Sequence, residues 1–208
     1  MNNHFFKVLL AFILIAGNTQ AQYTFGVRAG LNSNKIWGGT GPVTNMKAGF
    51  QIGAIADYSL NHRFSIEHGL LFATLGHRIN FTPMNGMRSK HYIAENRNYI
   101  QIPVRFLYKF GNGLSFHAGT YFSRAISGKV KGNSFPIDGE IYNYEYKLWF
   151  GENANSVFDC GLSVGIAMRF GNYKVGLEGN RGIISLLQSS SYHKNGGFAF
   201  NATYMFGK

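Results

Sequence analysis

The sequence contains few cysteines, which stabilise small disulfide-bonded domains, and few charged residues, which are abundant in disordered chains. It contains a single cysteine, Cys160, which excludes an internal disulfide framework. Only 14% of its 208 residues are charged, whereas 45% are hydrophobic, and this balance excludes a disordered chain. Acidic residues are especially scarce, because nine Asp and Glu stand against 20 Lys and Arg, for a formal net charge of +11. A surplus of this size favours an anionic counterpart.

Long apolar runs are also scarce. The longest, Val8–Ala16, reaches only about half of the ~20 residues that a membrane-spanning helix needs. A lysine precedes this run and small residues follow it up to Ala21, which is the pattern of a secretory signal peptide. We therefore predict a signal peptide over residues 1–21 and one exported domain over residues 22–208. An exported chain without a basic helix is not expected to bind nucleic acid, so anionic lipid headgroups are the expected counterpart of its charge.

What the sequence does contain is glycine and aromatic residues in alternating patterns. There are 27 Gly, 19 Phe and 12 Tyr, a composition typical of β-sheets. The clearest pattern is Tyr99–Phe110, which reads YIQIPVRFLYKF, and every second side chain from Ile100 onward is apolar or aromatic. A period of two places these side chains on one face of an extended strand, whereas a helix would scatter them. The tight turn Gly111–Gly113 follows at once.

The same alternation recurs along the chain and predicts eight strands. These are Tyr23–Leu31, Ala48–Tyr58, Phe64–Thr74, Tyr99–Phe110, Leu114–Phe122, Phe158–Phe170, Tyr173–Leu187 and Gly197–Phe206. Short turns alternate with long connections, of which Gly76–Asn98 and Ser127–Asn155 are the longest, so both termini lie on the short-turn side. The segment Glu140–Phe150 also alternates and is predicted to form a hairpin beyond the membrane; whether it adds strands to the barrel is left open. The pattern predicts an all-β fold, an eight-stranded antiparallel up-and-down transmembrane β-barrel.

A soluble barrel would also alternate, but with its apolar face turned inward. Two features favour lipid on the outside. The less apolar face is rich in Gly, Ala and Ser, which suits a narrow lumen. Aromatic residues also concentrate on the apolar face at the short-turn rim, as at a membrane–water interface. The predicted periplasmic aromatic girdle consists of Tyr23, Tyr58, Tyr108, Phe110, Phe170, Tyr173, Tyr204 and Phe206.

Several of these segments together resemble a known family. The segment YIQIPVRFLYKFG, the strand Phe64–Thr74 with its inward Glu67, the glycine-rich strand Phe158–Phe170 and the aromatic last strand are similar to the small outer-membrane β-barrels of Bacteroidetes, often called PorT-like. The resemblance covers nearly all of the exported domain. It implies a barrel in the outer membrane of a Gram-negative bacterium, and the family's namesake is linked to a secretion machinery.

Charged residues on the inward face are the main candidates for a functional site. Arg28, Glu67, Arg105 and Glu178 have inward parity and lie at similar depth from the short-turn rim. Charges in so narrow a lumen must be paired, because an unpaired buried charge costs several kcal/mol. We predict a structural lumen charge network that blocks the barrel, with a selectivity or proton path as the alternative.

Signals for catalysis, metals and cofactors are weak. The histidines are scattered, no Ser, His and acid converge by spacing, and no His pair has metal-ligand spacing. We therefore predict no catalytic residue, no metal and no cofactor, and a monomeric, non-enzymatic barrel with both termini in the periplasm. Its expected partners are outer-membrane lipid and envelope or secretion-system proteins. An accessory role in a secretion system, a narrow channel and a lipid-modifying membrane-barrel enzyme remain alternatives.

Overall fold

The computed structural model describes residues 22–38, 44–81, 91–134, 142–151, 155–186 and 193–206. These residues contain no helix long and apolar enough to cross a membrane. They form nine β-strands: β1 (Tyr23–Trp37), β2 (Thr44–Ser59), β3 (Phe64–Phe81), β4 (His91–Lys109), β5 (Leu114–Ser134), β6 (Tyr142–Lys147), β7 (Phe158–Phe170), β8 (Tyr173–Gly182) and β9 (Lys194–Phe206). The predicted signal peptide, residues 1–21, lies outside the described residues and stays a prediction.

Eight of these strands close into a ring. The sheet order is β4-β3-β2-β1-β9-β8-β7-β5, and an additional pairing of β4 with β5 joins its two ends. Every neighbouring pair in the ring is antiparallel. Closure leaves no edge strand within the ring, so its backbone donors and acceptors are satisfied internally, as a bilayer requires. The predicted eight-stranded, up-and-down architecture is confirmed.

The remaining strand, β6, lies outside this ring. β6 pairs only with the last residues of β5, from Lys129 opposite Lys147 to Ser134 opposite Tyr142. Of the alternating segment Glu140–Phe150, residues Tyr142–Lys147 therefore add a strand to the sheet but not to the closed barrel. The ion pairs of Glu145 with Lys129 at 3.0 Å and Lys131 at 2.7 Å link the two strands. Hydrogen bonds from Lys131 and Lys129 lower the pKa of Glu145 from its usual value, which favours the ionised carboxylate of this link.

The predicted strand ends at the loop side need correction. Most of the connection predicted over Gly76–Asn98 is strand, because β3 and β4 stay paired up to Phe81 opposite His91. β8 is shorter than predicted and ends at Gly182, not at Leu187. The alternation of apolar residues stops where the wall leaves the apolar band, but strand pairing depends on backbone hydrogen bonds and continues beyond it.

Burial across the wall is inverted relative to a soluble protein. Large apolar side chains on the outer face are exposed, with exposed fractions of 69% for Leu31 and 54% for Leu70. Charged side chains on the inner face are buried, and those of Glu67 and Arg105 expose only 2% and 1%. The small apolar cluster inside contains Ile55, Leu71 and Met205. This distribution is that of a barrel whose outer wall faces lipid.

Candidate functional site: charges across the lumen

The strand register alone places the predicted charged residues close to one another. Glu67 on β3 lies directly opposite Arg105 on β4. Arg28 on β1 and Lys174 on β8 both lie opposite Thr203 on β9. Directly opposite residues on antiparallel strands have Cβ atoms about 5 Å apart, so the two members of each pair are close neighbours. The inward parity of all five residues turns their side chains toward the same lumen.

Glu67 is the centre of these contacts. Its carboxylate accepts hydrogen bonds from Arg28 Nη2, at 2.8 Å to each oxygen, and from Arg105 Nη1 at 2.8 Å. Lys174 Nζ also donates to Glu67 Oε2. Three cations therefore share one buried carboxylate. Hydrogen bonds between ionised groups are the strongest kind in proteins, which makes Glu67 the residue on which this cluster depends.

A second carboxylate continues the cluster across the barrel. Arg105 Nη2 lies 2.7 Å from Glu178 Oε2, and His117 Nε2 lies 3.2 Å from the same oxygen. Glu178 is on β8, whereas Arg105 and His117 are on β4 and β5. Since β4 and β8 are not neighbours in the ring, the Arg105–Glu178 contact spans the lumen.

Small inward residues make room for these long side chains. Gly165 lies opposite Glu178 in the register. A Cβ atom added at Gly165 would lie 2.6 Å from His117 Nε2, so the imidazole occupies the space that a larger residue would need. The void that remains among Arg28, Glu67, His117 and their neighbours is about 10 Å³, about the smallest that holds a water molecule.

The structure thus brings the predicted residues Arg28, Glu67, Arg105 and Glu178 together. It adds Lys174 and His117, which sequence reasoning did not include in this cluster. Lys174 and His117 also have inward parity, but parity alone does not tell which inward side chains meet. Three cations and two carboxylates now face one another, together with the imidazole. Nearer the short-turn rim, Lys109 pairs with Asp57 at 3.3 Å, while Arg169 is exposed.

A second polar layer lies above the charge cluster, toward the loop rim. Asp159 accepts a hydrogen bond from Asn195 Nδ2 at 2.8 Å, and Arg97 donates to Asn155 Oδ1 at 2.7 Å and pairs with Glu95. Sequence reasoning did not predict this layer. Several buried polar atoms in the layer have no hydrogen-bond partner among the described residues: Tyr99 Oη, Tyr121 Oη, Ser123 Oγ, Ser163 Oγ and Asp159 Oδ1.

The residues of the aromatic girdle lie at the short-turn ends of their strands. Their rings contact one another around the rim, with centroids 4.8 Å apart for Tyr23 and Tyr58 and 5.2 Å apart for Tyr173 and Tyr204. Tyr108 meets Phe110 edge to face at 4.8 Å. Phe206 contacts Tyr204, and Phe170 is 58% exposed on the outer wall. The eight residues therefore form a band around one end of the barrel.

The described residues show no arrangement typical of a catalytic or metal centre. Among their hydrogen bonds, His117 contacts only Glu178, which also binds Arg105. Within the same ranges, no group of three or more His, Cys, Asp or Glu side chains is placed to hold a metal ion. The contacts of the lumen cluster are ion pairs and hydrogen bonds between its basic side chains and two carboxylates.

Comparison with known proteins gives one family and several related folds. A family model described as outer membrane protein beta-barrel domain matches residues 18–188. The fold is similar to Ail, the attachment invasion locus protein of Yersinia pestis, at 14% identity and a TM-score of 0.48, over 89% of this chain and 99% of that one. It is also similar to Neisserial surface protein A, at 11% identity and a TM-score of 0.49, over 88% and 97% of the two chains. No curated protein matches this sequence.

Proposed function

This chain belongs to the outer membrane protein beta-barrel domain family, and from that premise we propose that it is a non-enzymatic outer-membrane barrel whose lumen is closed by its own charges. Its loop side is then the part available for contacts with other envelope components. The observation that carries the proposal is the set of contacts that Glu67 and Glu178 make with cations from other strands around the ring. Arg28, Arg105 and Lys174 supply those cations.

Two properties of the cluster support a closed lumen. The remaining void is about 10 Å³, room for about one water molecule and not for a column of them. Glu67 and Glu178 also each contact more than one basic side chain, so opening a path requires breaking more than one buried ion pair. Breaking a buried pair by removing one partner typically costs about 3–5 kcal/mol.

Solute entry into liposomes tests the closed lumen. We expect liposomes that contain the purified barrel to swell in arabinose no faster than protein-free liposomes, because the sugar is far larger than the void at Glu67. Liposomes with a general porin serve as the positive control. Swelling of the barrel liposomes at a rate comparable to the porin's would support a channel instead.

A narrow channel is the second candidate, and the upper polar layer is the observation that favours it. Buried hydroxyls of Tyr99 and Tyr121 and the Oδ1 atom of Asp159 need partners that the described protein atoms do not supply. Ordered water usually satisfies such groups, so we expect water to reach this depth from the loop rim. In the proposed function this water ends at the charge cluster, and in the alternative it continues past Glu67.

A PorT-like accessory role in a secretion system is a narrower form of the proposal. The feature that supports it is the β5–β6 hairpin, which extends the wall beyond the ring and carries a ladder of Lys129, Glu145 and Lys131. A photocrosslinker at Tyr146, an exposed residue on β6, would capture an envelope partner in cells. The same crosslinker at Phe206, at the opposite end of the barrel, is the matched control.

We propose that both termini face the periplasm, because the first and last strands begin and end at the short-turn rim. Trypsin added to whole cells is then expected to cut after Arg88 or Lys90, in the connection between β3 and β4. Cleavage after Arg63, in the short turn between β2 and β3, is expected only once the outer membrane is permeabilised. Cleavage after Arg63 in intact cells would reverse the orientation.

A further inference from the structure

One group of cations does not belong to the lumen and faces outward. Lys35 and Trp37 on β1, Arg181 on β8 and Lys194 on β9 all have outward parity and lie at the loop ends of their strands. Most of the outer wall below them is apolar. Among the described residues, no carboxylate forms an ion pair with these three cations. These cations lie at the top of a lipid-facing wall, where lipid headgroups begin.

The strand register and Gly196, on the strand between β1 and β8, allow these side chains to meet. Gly196 on β9 lies opposite both Lys35 and Arg181, and Lys194 lies opposite Trp37. A Cβ atom at Gly196 would be 2.7 Å from the Trp37 indole, so the ring occupies the space beside this glycine. Lys35 Nζ is 3.9 Å and Arg181 Cζ is 4.9 Å from the ring centroid of Trp37. The indole thus gathers two cations around it by cation–π contacts.

An apolar groove runs down the wall from this cluster. Its floor is Gly179, which faces outward without a side chain, and its sides are Leu162, Val164 and Phe198. The groove has a volume of about 220 Å³, and Trp37 and Arg181 lie at its upper end. A side chain added at Gly179 would meet only ordinary contacts, with the nearest atom of Phe198 at 3.8 Å. The groove is therefore open space along the lipid face and not a site of tight packing.

We propose that this groove and the cations above it bind one phosphorylated glucosamine lipid of the outer leaflet, that is, lipid A. One acyl chain lies over Gly179, and Lys35, Arg181 and Lys194 hold the headgroup phosphate. The exposed part of the Trp37 indole contacts the sugar ring. Charge complementarity commits the site to an anionic lipid, since two cations meet at Trp37 and Lys194 lies opposite it, without a carboxylate partner among the described residues. The choice of the outer leaflet rests on the orientation given under the proposed function.

Native mass spectrometry of the purified barrel with added lipid A tests the proposal. The wild type is expected to retain one lipid A molecule per barrel. The double variant Lys35→Ala, Arg181→Ala is expected to bind it at least about tenfold more weakly, because charge-assisted hydrogen bonds are lost. The matched control is Lys129→Ala, Lys131→Ala, which removes two lysines from the β5–β6 hairpin and is expected to leave binding unchanged. Equal binding by the first double variant and the wild type would overturn the site.

The groove has its own matched pair of variants. Gly179→Leu fills the groove and is expected to weaken lipid A binding severalfold. Ala202→Leu changes an exposed small residue on the outer wall that does not line the groove, and it is expected to leave binding unchanged. The heat-modified mobility of folded barrels in gels confirms that both variants fold. If Gly179→Leu binds lipid A as the wild type does, the acyl chain does not lie there.

Two further lipids identify the headgroup. Lipid A without phosphate and phosphatidylglycerol are both expected to bind at least about tenfold more weakly than lipid A, each lacking part of the recognised headgroup. Equal binding of the phosphate-free lipid would overturn the role of the cations, and equal binding of phosphatidylglycerol would overturn the assignment to a glucosamine lipid. Binding in detergent depends neither on orientation nor on the lumen, so the protease and swelling assays can fail independently of this one.

Discussion

Replacing Glu67 by glutamine is expected to lower the free energy of unfolding of the barrel by about 3–5 kcal/mol, the usual loss when one partner of a buried ion pair is removed. Glutamine keeps the shape of the side chain but removes its charge. Arg28 and Lys174 would then lose the carboxylate they pair with, and Arg105 would keep only its pair with Glu178. Urea unfolding in detergent or lipid vesicles, followed by tryptophan fluorescence, measures the change.

The matched control is Glu145→Gln on β6. Glu145 also pairs with two lysines, but its side chain is 46% exposed, whereas that of Glu67 exposes 2%. Exposed ion pairs contribute little to stability, so the urea midpoint of this variant is expected to stay close to that of the wild type. A Glu67→Gln barrel as stable as the wild type would show that water solvates the lumen charges and that they are not a buried cluster.

Replacing Val164 by arginine is expected to destabilise the barrel by about 2–4 kcal/mol, the usual effect of arginine on the lipid face at the bilayer midplane. Val164 is 53% exposed on the outer wall and lies six residues from Phe170 at the short-turn rim. At a height of roughly 2.5 Å per residue in a tilted strand, this places it ~15 Å above the rim, near the middle of an apolar band ~25 Å tall.

Phe170→Arg on the same strand and face is the control for Val164→Arg. Phe170 belongs to the aromatic girdle, and near the interface arginine costs only about 0–1 kcal/mol. The difference between the two variants in urea unfolding from lipid vesicles therefore measures depth, not the substitution itself. Equal stability of Val164→Arg and the wild type would mean that this face of the wall is in water, as in a soluble barrel.

The fold was predictable from the sequence because the side chains of a β-strand alternate between two faces, and this alternation is visible in the sequence. In Phe158–Phe170, every second residue is apolar, and the strand has the predicted bounds. The loop-side ends were not predictable, because pairing above the membrane leaves no alternation in the side chains. For this reason β3 and β4 continue through most of Gly76–Asn98, and β8 stops at Gly182.

The lumen cluster was predictable only in part. Inward parity and depth selected Arg28, Glu67, Arg105 and Glu178, and these four side chains lie in one connected network. His117 joins this network from β5 through Glu178, and Lys174 joins it from β8 through Glu67. Their participation depends on strand stagger and on the space left by Gly165, and neither can be deduced from the parity of a residue. The outward cluster around Trp37 depends in the same way on Gly196, whose role appears only once β1 and β9 are paired.

The ionic current through single barrels in a planar lipid bilayer tests the closed lumen most directly. We predict that the wild type carries no unitary current above the bare membrane, because Glu67 and its three cations leave room for about one water molecule. Glu67→Gln is predicted to produce measurable leakage, since it loosens the contacts that fill the lumen. A steady unitary conductance from the wild type that Glu67→Gln leaves unchanged would contradict the account.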